Sequence, residues 1–215
     1  MAGSKRPEGL KTREAILEVA RQLFLRQGYH ATGMRQIAHE CGISLSAVYN
    51  HFPSKEKILE EILSERNIYA AMTEALSRAR GESVAELMES GYVEIMAALR
   101  DKADFMLLVF IDVLEFQGRH VAKLAGGALP RILDFIQRLT LLGHQRGELR
   151  DISPLLLGRA YIQLIFSSFI LENVVKLFAY EQLGLLLSID QWGKGLTDIL
   201  LHGVLKPPSL QEVER

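Results

Sequence analysis

Apolar residues recur at helical spacing along almost the whole chain, and no segment shows the alternation that a half-buried strand needs. Ile16, Ala20, Leu23 and Phe24 form one stripe with Glu14, Glu18, Arg21 and Gln22 turned outward, which predicts a helix over about Thr12 to Gln27, closed by Gly28. Residues 1–9 ahead of it are polar, with Gly3, Pro7 and Gly9, and read as a mobile arm. Its Lys5 and Arg6, with Lys11, either trail along phosphates or are simply solvated. Met34, Ile37, Ala38 and Cys41 then fall at i, i+3, i+4 and i+7, the buried stripe of a short second helix. Gly42 can close that helix, and Ser44 can cap a third that sends Val48 and Phe52 inward and Ser46, Tyr49 and Asn50 outward. Pro53 stops the segment and Ser54 opens the next.

Two short helices joined by a tight glycine turn make a helix-turn-helix, whose second helix is narrow enough to enter a DNA major groove. The following helix reads as one continuous rod from Lys55 to about Ala79, with Ile58, Leu59, Ile62, Leu63, Tyr69, Met72 and Leu76 available for burial. Such a rod would be a lever between two domains. Further on, Ser83 caps a helix through about Leu99, and Phe105 to Phe116 forms another apolar segment carrying Asp112 and Glu115. Gly126-Gly127 reads as a turn, followed by a helix over about Ala128 to Gln145. Ser153-Pro154 opens a helix to about Phe178 that is apolar on nearly every side, and a last helix covers about Ile189 to Leu205 before Pro207-Pro208. A helix apolar all round needs either a very deep core or a partner, and the partner is the expectation here.

The run Phe24, Gly28, Tyr29, Thr32, Ile37-Ala38, Gly42-Ile43-Ser44, Tyr49, His51-Phe52 and Ser54-Lys55-Glu56 resembles the N-terminal domain of the TetR (tetracycline-repressor-like) family of transcriptional regulators. The resemblance covers about residues 10–65. It departs from the common family pattern at Gly33 and Ser46, which leaves the operator sequence open. It implies an all-α chain: an arm and three-helix DNA-binding domain over residues 1–55, a larger ligand-sensing and dimerisation domain over 56–206, and a tail over 207–215. It further implies a homodimer joined through the last two helices, and Trp192 reads as packing at that seam rather than as a sensor. Such a dimer would set two recognition helices about 34 to 36 Å, or a multiple of it, apart on a pseudo-palindromic operator.

Leu45, Ser46, Ala47 and Asn50 sit on or beside the exposed face of the recognition helix and so are the candidates for base edges, beside the capping Ser44, and the resemblance, carried over position by position, adds further contacts. Arg35 reaches a base or a phosphate, or is an ordinary exposed arginine. Thr32, Tyr49, His51 and Lys55 become phosphate clamps, with local packing the alternative for Tyr49 and His51. The second domain would enclose a small apolar or amphipathic effector, with Asp112, Glu115, Gln163, Ser167, Glu172 and Asn173 as polar anchors or, taken singly, as surface, interface or satisfied core residues. A repressor released by its effector is the first reading. An activator, or a co-repressor-dependent regulator, shares every feature, and a helical interaction module whose helix-turn-helix only packs is the rival from another class.

Composition adds two points. Residues 1–60 hold nine Lys and Arg against six Asp and Glu, and the remainder 16 against 20, so the basic end of a chain of net charge -1 is the helix-turn-helix end. The single cysteine, Cys41, rules out an intrachain disulfide and suits a reducing cytoplasm; it reads as a small core residue, or else as a redox sensor without a nearby partner. The N-terminus lacks the apolar core of a signal peptide, and the richest apolar run, Ala160 to Leu171, is too short and interrupted to span a bilayer. With no HExxH, nucleotide loop or Gly-x-Ser-x-Gly, neither a metal, a cofactor nor an enzyme is expected.

Overall fold

A computed structural model describes residues 8–170 and, beyond them, positions 191, 195, 198–200, 202 and 203. Nine helices are delimited among the described residues: α1 Glu8–Gln27, α2 Met34–Glu40, α3 Leu45–His51, α4 Lys55–Glu65, α5 Ile68–Arg78, α6 Val84–Leu99, α7 Ala103–Phe116, α8 Arg119–Arg146 and α9 Pro154–Ile170. No β-strand occurs among the described residues. The chain divides into two compact units, Met1–Asn67 with Lys102–Gly126, and Ile68–Asp101 with Gly127–Arg215.

The first unit is built on α1, whose Ile16, Ala20, Leu23 and Phe24 are buried as their spacing requires. α2 and α4 pack on it, α3 packs on α2, and α7 packs on both α1 and α4. Ile37, Val48, Phe52, Ile58, Leu59, Leu63 and Phe105 complete the core. A three-helix unit of this size has little interior of its own, and α4 and α7 supply the rest. The compact unit accordingly extends to Asn67 and takes in Lys102–Gly126. Asp104 on α7 fastens it further, receiving Arg21 at 2.7 Å and Arg66 at 3.2 Å. Arg21 also holds Glu18, and its hydrogen bonds bring that carboxyl from an ordinary 4.5 down to about 2.

In the second unit, α5 packs on α6 and α6 on α9. Gly91 and Gly158 let elements approach closely: a Cβ at Gly91 would stand 2.7 Å from the Tyr161 hydroxyl and 3.2 Å from the Phe135 ring, and one at Gly158 2.1 Å from Ile136. Tyr161 is buried, stacks on Phe135 at 5.8 Å and donates to the Met88 carbonyl at 2.6 Å. Burial pushes its phenol well above the usual range.

Several expectations are corrected. α1 begins at Glu8, so the residues expected to form an arm already enter the helix by position 8. The rod from Lys55 to Ala79 is two helices: α4 ends at Arg66, whose φ of -96° and ψ of 13° leave the helical region, and Arg66 is held on Asp104. Asn67, a residue that favours helix starts, precedes α5. The opposite happens at Gly126-Gly127, where no turn forms and α8 continues through both glycines and Pro130. Each helical glycine costs about 1 kcal/mol, but the flanking Ala122, Leu124, Ala125, Ala128 and Leu129 are strong helix formers. Pro130 lacks the N–H that would have bonded the Gly126 carbonyl four residues back, so the helix continues through it with that bond missing. The starts expected at Ser83 and Ser153-Pro154 are observed. The expected end of the latter helix at Phe178, the last helix and Trp192 lie outside the described residues, apart from the scattered helical positions given above.

Candidate DNA-binding surface

The recognition helix is placed by its caps. Gly42, at φ 66°, donates to the His39 carbonyl at 3.0 Å while Ile43 donates to the Ala38 carbonyl at 3.0 Å, the paired bonds of a left-handed helix stop. A Cβ at that φ would be strained, so glycine is the residue that lets the chain reverse within two positions. Ser44 Oγ then accepts the Ala47 N–H at 3.1 Å and starts α3. Val48 and Phe52 are buried against the core and Arg13 lies over the Phe52 ring at 5.1 Å, which fixes how α3 is rolled.

With that roll set, Ser46, Tyr49 and Asn50 are exposed, while Leu45, Ala47 and His51 are half-buried. Tyr49 keeps 49% of its surface open, unusual for a large ring on a two-turn helix. Arg35 and His39 are exposed on α2. The Ser46 hydroxyl stands 2.9 Å from that of Ser44, so the cap and the proposed reading position share a hydrogen bond. This edge offers hydroxyl, phenol, amide, imidazole and guanidinium groups on a rod about 10 to 12 Å across, a match for a groove of about 12 Å.

Two expected clamps have other employment. Thr32 is 1% exposed and its hydroxyl donates to the Gly28 carbonyl at 2.9 Å; Gln27, itself bonded to Gln36 at 2.8 Å, reaches the same oxygen at 3.3 Å. Its side chain ties the α1–α2 loop together. Lys55 donates to the Tyr29 carbonyl at 2.6 Å and the Thr32 carbonyl at 2.7 Å, and its ammonium lies 4.1 Å from the Tyr29 ring centre. A cation at a helix N-terminus is explained by these carbonyls without a phosphate. Desolvation lowers the Lys55 pKa, and burial pushes the Tyr29 phenol up to about 12. Cys41, expected on the buried stripe, is half-exposed, with its thiol 3.8 Å from the Ala15 carbonyl and raised in pKa by burial.

The proposed effector anchors separate. Asp112 and Glu115 belong to the first unit, not the second: fully buried Asp112 meets His120 and the Val121 N–H, and Glu115 meets His30 at 2.7 Å. Gln163 and Ser167 are exposed on α9, with the Ser167 hydroxyl on the Leu164 carbonyl at 3.0 Å. Glu172 and Asn173 lie outside the described residues. Sequence reasoning missed the corner between α7 and α8, where Phe116 meets Tyr29 edge-on at 5.5 Å. Its signal was Gln117-Gly118, two successive left-handed residues at φ 57° and 73°.

Among the described residues no group of His, Cys, Asp or Glu could hold a metal ion, and no helix is long and apolar enough to cross a membrane. A family model described as bacterial regulatory proteins of the tetR family matches residues 16–62, the stretch from the middle of α1 to α4. Escherichia coli K12 HTH-type transcriptional regulator UidR is 26% identical over 170 residues, 77% of this chain and 84% of the relative. A putative transcriptional regulator from Saccharomonospora viridis, solved in complex with choline, superposes with a TM-score of 0.63 at 26% identity, covering 92% of this chain and all of that one. NalD, the secondary repressor of the MexAB-OprM multidrug efflux pump in Pseudomonas aeruginosa, shares the fold at a TM-score of 0.63 and 22% identity, over 94% of this chain and 100% of its own. The capped recognition helix, the all-helical fold and these comparisons agree: residues 16–62 match the tetR-family model, and over most of its length the chain is similar to HTH-type transcriptional regulators.

Proposed function

We propose that the chain is a homodimeric repressor in the cytoplasm, which binds a pseudo-palindromic operator and leaves it when a small apolar or amphipathic effector binds the second unit. The observation that carries the DNA half is the division of α3 into a buried edge, Val48 and Phe52, and an open polar edge, Ser46, Tyr49 and Asn50. Asn50 and Ser46 reach base edges, Tyr49, His51 and Arg35 meet phosphates, and the half-buried Leu45 and Ala47 offer methyl contacts to thymine. Support for a second copy comes from α9, where Leu155, Leu156 and Phe166 are 68%, 57% and 40% exposed. The pair would join through α9 and the last helix.

The effector half rests on the fold: the Saccharomonospora regulator of the same architecture was solved with choline. Gln163, Ser167, Glu172 and Asn173 remain the polar candidates of the second unit. Release is a population shift, in which the effector favours a state whose reading helices no longer match the groove spacing. A change from 99% to 1% competent requires a differential affinity of about 10⁴, roughly 5.5 kcal/mol. Footprinting on the DNA flanking the chain's own gene tests the proposal. Two protected patches centred about one helical turn apart, with one dimer bound, are expected; a single unpaired patch, or a monomer bound alone, would refute the dimer.

A further inference from the structure

Asp112 is fully buried on α7, just before the left-handed Gln117-Gly118 turn. A carboxylate there is costly unless its oxygens are met. Oδ2 accepts the Val121 N–H at 3.0 Å in the first turn of α8, and Oδ1 lies 2.6 Å from His120 Nδ1. Against an acceptor-only carboxylate, Nδ1 is the nitrogen that holds a proton. The other ring nitrogen, Nε2, faces Glu56 Oε1 at 3.4 Å, in the first turn of α4. The same imidazole packs edge-on against Phe116 at 5.1 Å, and Phe116 packs against Tyr29, the residue whose carbonyl and ring hold Lys55. His120 therefore touches Glu56, the residue next to Lys55, and packs on the aromatic ring that supports Tyr29.

What Nε2 does to Glu56 turns on one proton. In the imidazolium both nitrogens donate, and the ring bridges two carboxylates on different helices. In the neutral ring with Nδ1 protonated, Nε2 presents a lone pair to an oxygen that also has only lone pairs. The other charged groups at this corner are Glu60 on α4 and Arg119 and Lys123 on α8: Arg119 pairs with Glu56, and Lys123 lies 3.9 Å from Glu60. Glu115, on the same helix as Asp112, is engaged by His30. Arg119 keeps Glu56 partnered when His120 is neutral, so losing the proton loosens the first turn of α4 without orphaning a charge.

We propose that His120, outside the helix-turn-helix, is a positioning residue for DNA reading: its charged form draws Glu56, and with it the Lys55 end of α4, onto the α7–α8 corner and so strengthens DNA binding. The contact is present while Nε2 carries its proton and is lost as rising pH removes it. The test is a double-mutant cycle, His120→Gln with Glu56→Gln, read in Kd for a duplex that the wild-type chain has itself selected from a randomised pool, and in Tm without DNA. Protonation of His39 and His51 near the duplex cancels in the cycle, because each single variant carries it equally. We expect a coupling of about threefold in Kd in mildly acidic buffer that is weaker in mildly alkaline buffer, with a matching coupling in Tm. Equal coupling at both pH values, no coupling at either, or coupling in Tm with none in Kd would overturn the proposal. If His120→Gln fails to fold, Glu56→Gln alone should reduce the low-pH rise in wild-type affinity, leaving the part that His39 and His51 supply, and an unchanged profile would overturn it.

Discussion

Thr32 and Lys55 carry hydrogen-bond donors that DNA could use, as Ser46, Tyr49 and Asn50 do, yet the two groups live differently. The hydroxyl of Thr32 and the ammonium of Lys55 are spent on carbonyls of the α1–α2 loop at 2.6 to 2.9 Å. Ser46, Tyr49 and Asn50, a few residues away, face outward. A loop between two helices leaves carbonyls with no helical partner, and a nearby donor finds them before any ligand does. A residue's chemistry says what it can bind; the backbone around it decides whether it is free to.

That comparison can be broken first at Lys55. Lys55→Met keeps the stem and removes two charge-assisted bonds, and should lower folding stability by about 2 to 3 kcal/mol, read by urea denaturation. An unchanged midpoint with lost DNA affinity would return Lys55 to the phosphate clamps. Next is Asn50→Ala, expected to weaken binding to the selected duplex by about tenfold while leaving the midpoint alone. Ser44 stands between the groups, because its oxygen caps α3 from inside; Ser44→Ala should cost about 1 kcal/mol of stability and weaken DNA binding in proportion.

The smallest effect sharpens the structural side. Glu18 has its carboxyl held at about 2 against an ordinary 4.5, first by the Arg21 hydrogen bonds. A lowered carboxyl pKa stabilises the fold fully above about 4.5, and that contribution drains away as pH falls toward about 2. Since 47% of the side chain is exposed, solvent screening keeps it to a few tenths of a kcal/mol. Glu18→Gln should therefore differ from wild type in thermal midpoint at neutral pH and converge with it in acid.

Most helix starts were legible because their signals are local. Ser44, Ser54 and Ser83 each accept the N–H three residues on, as a capping serine should. The inward and outward edges of α3 followed from spacing alone. The failures are those where distant groups decide. α4 stops short of Ala79 partly because Arg66 is drawn to Asp104, 38 residues away, and no window around Arg66 contains that carboxylate. Gly126-Gly127 reads as punctuation until the helix formers on both sides outweigh it. Asp112 in an apolar run was open to two readings, a ligand anchor or a satisfied core residue, and only the fold shows that it receives the first turn of α8.

Site selection from a randomised duplex pool, run in parallel with the wild-type chain and Asn50→Ala, tests most directly that the outward edge of α3 reads sequence. We expect the wild type to recover a two-fold symmetric site and the variant to lose preference at one base pair in each half while keeping the rest. Recovery of the same site with the same affinity by both proteins would contradict the account.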